Sequence, residues 1–243
     1  MKVIPLSEGA FTVDTTKIFK PFNIELDQMI DRPKGSLLVE IQPFVVITSN
    51  DIIIIDTGLG FEASNHQLQI LNNLSKHGIN SSDVTKVLMS HLHKDHAGAI
   101  LDKQGDFTFP NAKYYLQKRE FEFASQAENP SYLKSQFAAL EHHPQTVWLQ
   151  DDHGYIDGYI QYQMTAAHSK FHQVFWIEEN GEILFYGADD APQYQQMLQR
   201  FAAKYDFDGK KAMNLRAEWK EKGIEKKWQF LFYHGIKNPT YTF

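Results

Sequence analysis

The stretch Ser90–Gly98 reads Ser-His-Leu-His-Lys-Asp-His-Ala-Gly, and the interpretation of the whole chain starts from it. Three imidazoles and one carboxylate fall within six residues, directly after the apolar run Val84–Met89. Residues 87–89 predict a buried strand, so the polar groups follow on the turn that leaves its end. Such a turn aims alternate side chains into one small volume while the strand holds its base.

These side chains predict a metal site. Imidazole nitrogen and carboxylate oxygen are ligands of zinc and neighbouring first-row metals. Four such groups on one turn exceed what a single closed tetrahedral ion uses comfortably, so two adjacent ions are the more natural interpretation. The alternative is a chance cluster of surface histidines, since the chain has 11 of them. The preceding strand and the small residues Ala97-Gly98-Ala99, which let the next segment approach closely, favour the metal site.

The stretch resembles the signature of the metallo-β-lactamase superfamily, whose members bind one or two metals with such a motif. The resemblance implies an α/β (α+β) fold, a four-layer αββα sandwich. The rest of the sequence agrees, because strand-rich stretches followed by helices occur once in each half and no linker, repeat or low-complexity tract is present. We therefore expect residues 1–243 to form a single metallo-β-lactamase-like domain.

Composition narrows the classes of protein. Hydrophobic residues at 42% and charged residues at 22% fit a soluble globular protein. A net charge of -6 gives no reason to expect a nucleic-acid or anionic-membrane partner. The chain has no Cys, so any metal must be held by nitrogen and oxygen. Pro5 interrupts the start before a signal peptide could form, and no apolar run approaches the roughly 20 residues of a membrane span. We expect a cytoplasmic protein with a small-molecule substrate.

Local patterns predict several elements. The run Ile52–Ile55 suits a strand buried on both faces, ended by Asp56. Residues 63–77 predict an amphipathic helix, residues 155–167 alternate like one strand, and Asn180-Gly181 predicts a hairpin turn.

Three later strand ends also supply donors. His168, Asp189 and His234 each follow a predicted strand. Each would be weak alone, because a His after a strand is more often simply hydrogen-bonded and an Asp there usually caps a turn. Their recurrence after the early motif favours one shared site.

The resemblance implies how the donors divide between two ions. One ion takes the first two motif histidines and the later His, a second takes the motif Asp and final His with the last His of the chain, and an Asp bridges both. The matching residues in this sequence are His91, His93 and His168, then Asp95, His96 and His234, with Asp189 as the bridge.

Three further residues are less certain matches. Asp190 competes with Asp189 for the bridging role, and we expect Asp189 because Ala-Asp followed three residues later by Pro192 resembles a known variant of that turn. The resemblance also implies that Asp56 supports a metal ligand by hydrogen bonding; the alternative is a turn-capping carboxylate. His172, four residues after His168, is equally well interpreted as a residue that supports the metal ligands and as one with no part in the site.

The predicted chemistry is hydrolysis. Two divalent ions, zinc or alternatively iron or manganese, would bridge a water and lower its pKa towards neutrality, giving hydroxide at pH 7. Asp95 would orient this hydroxide or pass its proton to the leaving group. The metal site by itself does not select among esters, lactones, thioesters, amides and phosphoesters.

Comparison of subclasses favours lactones or carboxylic esters. Class B β-lactamases are secreted and many use a Cys ligand, whereas this chain has no Cys. Diiron flavoproteins add a flavin domain, which this sequence does not show. Glyoxalase II members carry a helical domain after the last ligand, where only nine residues follow His234 here. The pattern looks most like the N-acyl homoserine lactone lactonases. A phosphodiesterase, an iron-dependent sulfur dioxygenase-type oxidoreductase, and a non-catalytic metal-stabilised binding protein are the alternatives.

One position departs from that lactonase pattern. The lactonases carry a substrate-contacting Tyr three residues after the bridging Asp, where this sequence has Pro192. Tyr194, two residues further on, is therefore the candidate catalytic phenol. The alternative is an aromatic on a helix face beside Gln195 and Gln196.

Overall fold

The computed structural model describes residues 1–243 and contains fifteen strands and six α-helices. The strands are β1 (Lys2–Pro5), β2 (Gly9–Val13), β3 (Lys20–Pro21), β4 (Leu37–Ile41), β5 (Phe44–Ile47), β6 (Ile52–Ile55), β7 (Lys86–Leu88), β8 (Lys113–Gln117), β9 (Thr146–Leu149), β10 (His153–Ile156), β11 (Ile160–Met164), β12 (Gln173–Glu179), β13 (Glu182–Tyr186), β14 (Gln229–Leu231) and β15 (Thr240–Thr242). The α-helices are α1 (Gln69–Ser75), α2 (Lys94–Ala97), α3 (Lys118–Gln126), α4 (Lys134–Phe137), α5 (Tyr194–Leu198) and α6 (Gly209–Lys226). No helix is both long enough and apolar enough to span a bilayer.

The strands form two six-stranded mixed sheets and a small third sheet. The first sheet has the order β1-β5-β6-β7-β8-β9 and is parallel from β6 to β9. The second has the order β10-β11-β12-β13-β14-β15, in which only β13 and β14 are parallel. The third has the order β3-β2-β4.

The isoleucine strand β6 shows how the layers are packed. Ile54 points to one side, into an apolar cluster with Leu74 of α1. Ile53 and Ile55 point to the opposite side, into a second cluster that includes Phe175 of β12. Side chains alternate between the two faces of a strand, so a run of isoleucines serves both cores at once. The predicted doubly buried strand is confirmed.

Three buried clusters separate four layers. The first cluster fills the space between the first sheet and helices α1, α3 and α4, and the second lies between the two large sheets. In the third, which also includes Phe230, Trp219 of α6 packs on Phe185 of the second sheet. The predicted αββα sandwich is therefore confirmed.

Some element predictions were wrong in detail. The helix predicted over residues 63–77 is only α1, because residues 61–68 form a loop closed by a bridge between Glu62 and Leu68. The strand predicted over residues 155–167 is the hairpin β10–β11, which turns at Asp157-Gly158, where both residues have positive φ. The Asn180-Gly181 hairpin turn is confirmed.

The topology brings the ends of five strands to one edge. Strands β6 and β7 run parallel, so Asp56 and the 90–96 turn leave the first sheet at the same end. Strands β11, β13 and β14 share one direction in the second sheet, so the segments that carry the three later donors leave at a common end. Gln173 joins the sheets there, since its N–H donates to Ser90 O at 3.0 Å and its side-chain amide to Met89 O at 2.8 Å.

Candidate metal centre

The early histidines lie on a turn that close backbone packing holds in place. A Cβ at Gly98 would lie 2.0 Å from the carbonyl carbon of Leu59. Only glycine therefore lets the loop after β6 press against α2, which carries Asp95 and His96. Thr57 N and Gly98 N complete this contact by donating to His96 O and Gly58 O, both at 2.7 Å. The small residues after the motif allow the approach that the sequence predicted.

The first cluster of donors combines the turn with two loops of the second sheet. One nitrogen or oxygen from each of four side chains lies within 4.8 Å of all the others: His91, His93, His168 and Asp189. His91 Nε2 is 2.9 Å and His168 Nε2 is 3.2 Å from His93 Nδ1. His168 Nε2 is 3.1 Å from Asp189 Oδ2.

The second cluster consists of Asp95, His96 and His234, whose donor atoms also lie within 4.8 Å of one another. Asp189 Oδ1 is 3.2 Å from His96 Nε2 and 3.1 Å from His234 Nε2. The two oxygens of Asp189 thus face different clusters, as a bridging carboxylate requires. The structure brings together all seven donors that the sequence predicted.

The donor set fits divalent cations. Burial and the neighbouring histidines lower the pKa values of His91 and His93 well below the usual range, so both rings are neutral with a free lone pair. Although burial opposes ionisation, the surrounding histidines hold the pKa of Asp189 well below its usual value. His96 Nε2 and Asp189 Oδ1 are buried and have no hydrogen-bond partner, which suits atoms that face an ion.

Asp56 lies beneath the turn and fixes its ligands from behind. Its Oδ2 accepts hydrogen bonds from His96 Nδ1 at 2.8 Å, Ser90 Oγ at 2.6 Å and Tyr186 Oη at 2.6 Å. Its Oδ1 accepts from Ser90 N at 2.7 Å. A fully buried carboxylate with four donors orients His96 so that Nε2 faces the site.

Asp206 orients His168 as Asp56 orients His96, and no sequence pattern predicted this role. His168 Nδ1 lies 2.9 Å from Asp206 Oδ1, and the two side chains are 7% and 2% exposed. The segment that carries Asp206 is held to the His168 loop by the N–H groups of Phe207 and Asp208, which donate to His168 O and Ala167 O. The irregular stretch before α6 therefore positions a donor.

Asp190 faces away from both clusters. Its Oδ1 accepts from His168 N at 2.7 Å, and its Oδ2 lies 3.1 Å from His172 Nδ1. His172 Nε2 in turn accepts from Asp189 N at 3.3 Å, and Arg216 Nη1 donates to Asp190 O at 2.8 Å. This buried network holds the backbone of both site loops, so Asp190 and His172 act through other residues.

Tyr194 is not brought to the site, which is a correction to its predicted catalytic role. Its ring packs against the C-terminal segment, 4.5 Å from Tyr241 and 5.7 Å from Phe243 between centroids. Its ring also lies 6.2 Å from that of Phe232 between centroids, and Tyr194 is not among the residues that line the cavity. The tyrosines that line the cavity are Tyr132 and Tyr205.

A cavity of about 640 Å³ opens above the donors, large enough for a small molecule. His93, Asp95, His168, Asp189 and His234 form its floor. Its walls combine apolar side chains with three lysines: Val13, Phe19, Leu37, Leu38, Val39, Phe123 and Phe207 with Lys17, Lys94 and Lys170. Tyr132 packs on the floor, with its ring 4.7 Å from that of His93.

Comparison with known proteins agrees with this architecture. The sequence model of the metallo-beta-lactamase superfamily, Lactamase_B, matches residues 40–189. An N-acyl homoserine lactonase of Bacillus thuringiensis is 28% identical over 171 residues, which are 70% of this chain but only 63%, less than two thirds, of that protein.

Two solved structures have the same fold over almost the whole chain. A probable metal-dependent hydrolase from Staphylococcus aureus superposes with a TM-score of 0.82 at 20% identity, covering 99% of this chain and 91% of that one. The dizinc quorum-quenching lactonase AidC, in complex with a product, superposes with a TM-score of 0.75 at 22% identity, covering 98% and 88%.

Proposed function

The chain belongs to the metallo-beta-lactamase superfamily and is distantly related to its N-acyl homoserine lactonases, and we propose that it uses a dinuclear metal centre to hydrolyse a lactone or carboxylic ester. The observation that carries this proposal is the position of Asp189 on the cavity floor. Its two carboxylate oxygens lie 3.1–3.2 Å from histidine nitrogens of two separate clusters. A carboxylate that faces two sets of ligands is suited to join two cations.

Each group of donors has a distinct assignment. His91, His93 and His168 would hold one cation, and Asp95, His96 and His234 the other, with Asp189 shared. When bound, the cations would lower the pKa of a water and polarise the carbonyl oxygen of the substrate. Zinc is the metal we expect, because imidazole nitrogen and carboxylate oxygen are among its usual ligands.

Asp95 is the residue proposed to move a proton. It lies at the boundary between the second cluster and the cavity, with Oδ2 3.9 Å from His96 Nε2 and 3.7 Å from His234 Nε2. Its backbone oxygen accepts a hydrogen bond from Tyr233 Oη, which holds the first turn of α2 in place. From there the carboxylate can orient the attacking water and return a proton to the leaving oxygen.

The preference for lactones and esters comes from the relatives. The matched Bacillus protein is an N-acyl homoserine lactonase, and the AidC structure holds the product of its lactonase reaction. The apolar walls of the cavity suit the acyl part of such a substrate.

The test is a substrate panel run with metal analysis. Zinc-loaded protein would be assayed with acyl homoserine lactones, aryl esters and phosphodiesters, beside Asp189→Asn as the site variant. We expect lactone or ester turnover with two metals per chain, and loss of metal and activity together in the variant. Turnover of phosphodiesters alone would overturn the ester assignment, and iron content with oxygen uptake on a persulfide would indicate an oxidoreductase instead.

A further inference from the structure

We infer that the cavity selects substrates carrying a negatively charged group away from the bond that is cleaved, and that Lys17, Lys94 and Lys170 bind this group. The inference takes the hydrolysis of a lactone or ester from the proposed function. The preference for a negatively charged substrate is argued independently, from the charges in the cavity walls. It names a class of lactone or ester, those with a carboxylate or a similar anion at the far end.

Lysines outnumber the carboxylates that do not face a histidine in the lining of the cavity. Three lysines line the cavity and no arginine does. Four carboxylates line it, but Asp95 and Asp189 face the site histidines, and Asp206 faces His168 Nδ1. The walls above the metal donors therefore carry a surplus of positive charge.

Asp14, the remaining carboxylate, does not neutralise these lysines. Its Oδ1 accepts from Thr16 N at 2.9 Å and from Thr16 Oγ1 at 2.6 Å. No carboxylate oxygen lies within 4.0 Å of the ammonium group of Lys17, Lys94 or Lys170. A bound anion would supply the partner that the protein does not.

The surroundings of these ammonium groups strengthen their attraction for an anion. Lys94 Nζ lies 5.9 Å from the ring centroid of Phe19, and Lys170 Nζ lies 5.4 Å from that of Phe123. Both rings line the cavity; Lys17 and Lys94 are half-buried, and Lys170 is exposed. Apolar walls exclude water, so an ion pair formed there is screened less than one on the open surface.

Their position in the chain places the charge near the reaction. Lys94 follows His93 directly, and Lys170 lies two residues after His168, so these two lysines lie beside candidate metal donors, whereas Lys17 lies on the connection between β2 and β3. One small molecule can therefore reach both the floor and the ammonium groups. The chain as a whole has a net charge of -6, so the three lysines oppose the repulsion that an anion would meet from the rest of the protein.

The kinetic test compares two esters with one leaving group. Para-nitrophenyl butyrate is neutral, whereas mono-para-nitrophenyl glutarate carries a distal carboxylate. In the zinc-loaded enzyme we expect the KM of the glutarate ester to be about tenfold lower, as two partly exposed charge pairs would supply. The double variant Lys17→Gln, Lys170→Gln should remove most of this difference in KM between the two esters. Lys94 is left unchanged because its neighbours are proposed metal ligands.

The control keeps the same change in total charge. Lys113 and Lys210 are exposed and outside the cavity, so Lys113→Gln with Lys210→Gln should keep the preference for the glutarate ester. Equal KM values in the wild-type enzyme, or equal losses in the two double variants, would overturn the inference.

A binding measurement separates this inference from the proposed reaction. Calorimetric titration of the zinc-loaded protein with phenylbutanesulfonate and with phenylbutanol compares an anion with a neutral molecule of similar shape. We expect about tenfold tighter binding of the sulfonate, lost in the Lys17→Gln, Lys170→Gln protein. If neither ester is hydrolysed but the sulfonate preference holds, the reaction is wrong and the anion site stands; equal affinities would refute the anion site.

Discussion

Replacing Asp206 tests whether a residue in an irregular segment governs metal binding at the proposed centre. The carboxylate lies 2.9 Å from His168 Nδ1 in a place where both side chains are almost fully buried. A buried partner of this kind fixes the tautomer and the direction of the ring, so that Nε2 faces the donors of the first cluster. It also makes the imidazole a stronger ligand through its negative charge.

The expected loss of metal affinity depends on whether each Asp206 variant keeps the hydrogen-bond acceptor and the negative charge. Asp206→Asn retains a side-chain oxygen that accepts from Nδ1 but removes the charge, so we expect metal affinity to fall about tenfold. Asp206→Ala loses the acceptor as well, and we expect a loss of about a hundredfold, or roughly 2.7 kcal/mol of binding free energy.

The assay is zinc competition against a chromophoric chelator, with thermal unfolding of each protein as a check on its fold. Asp208→Ala is the matched control. Asp208 caps α6, since its Oδ1 accepts from Lys211 N at 2.9 Å, and it lies two residues from Asp206. Its loss should cost about 1 kcal/mol of stability and leave zinc affinity unchanged.

Two outcomes would refute this reasoning. Zinc affinity within twofold of wild type in both Asp206 variants would mean that His168 is oriented without the carboxylate. An equal loss in the Asp208→Ala protein would mean that general loosening of the segment, and not the contact with His168, weakens the site.

Three further predictions concern other parts of the site. Glu8 is buried beside the loop after β6, where Leu59 N and Phe61 N donate to its carboxylate at 2.6 and 3.2 Å. Burial raises the pKa of this carboxyl to about 8, above its value of 4.5 in the unfolded chain, so the folded state loses stability as the pH rises from about 4.5 to 8; urea titrations from pH 5 to 9 should show a shallower pH slope for Glu8→Gln, and equal slopes would contradict this. Gly98→Ala puts a methyl group 2.0 Å from the Leu59 carbonyl carbon and should cost about 3 kcal/mol or more of unfolding free energy, whereas a cost under about 1 kcal/mol would show that the loop can yield. Tyr194→Phe should leave kcat/KM for the best ester within about twofold, because the ring lies outside the cavity, and a loss above about tenfold would restore its catalytic role.

Much of the donor set could be predicted because it follows the ends of strands. Apolar runs such as Ile52–Ile55 identify the strands, and parallel strands bring the residues after them to one edge. His91, His93, Asp95 and His96 identify the site because four donor residues fall within six positions. His168 and His234 became candidates because each follows a predicted strand, and the family resemblance supplied their order.

Other features depend on packing that no short pattern records. Asp206 lies in a stretch of mixed aromatic and acidic residues that resembles an ordinary solvated loop, and only the backbone bonds to the His168 loop bring it inside. The sequence does not show whether Tyr194 lies on the side of α5 that faces the cavity. Its contacts with Tyr241 and Phe243 of the C-terminal segment hold the ring outside the cavity lining. The Asp157-Gly158 turn was hidden because the alternating pattern continues across it into β11.

The division of the donors between the two sheets has a consequence for how the centre forms during synthesis. The turn that carries His91, His93, Asp95 and His96 leaves the ribosome well before His168, Asp189 and His234. An ion captured by the nascent turn would be held by at most four ligands and would still exchange with free chelators. The complete donor set exists only after His234 has been added, so a chain truncated before it would hold at most six of the seven proposed ligands.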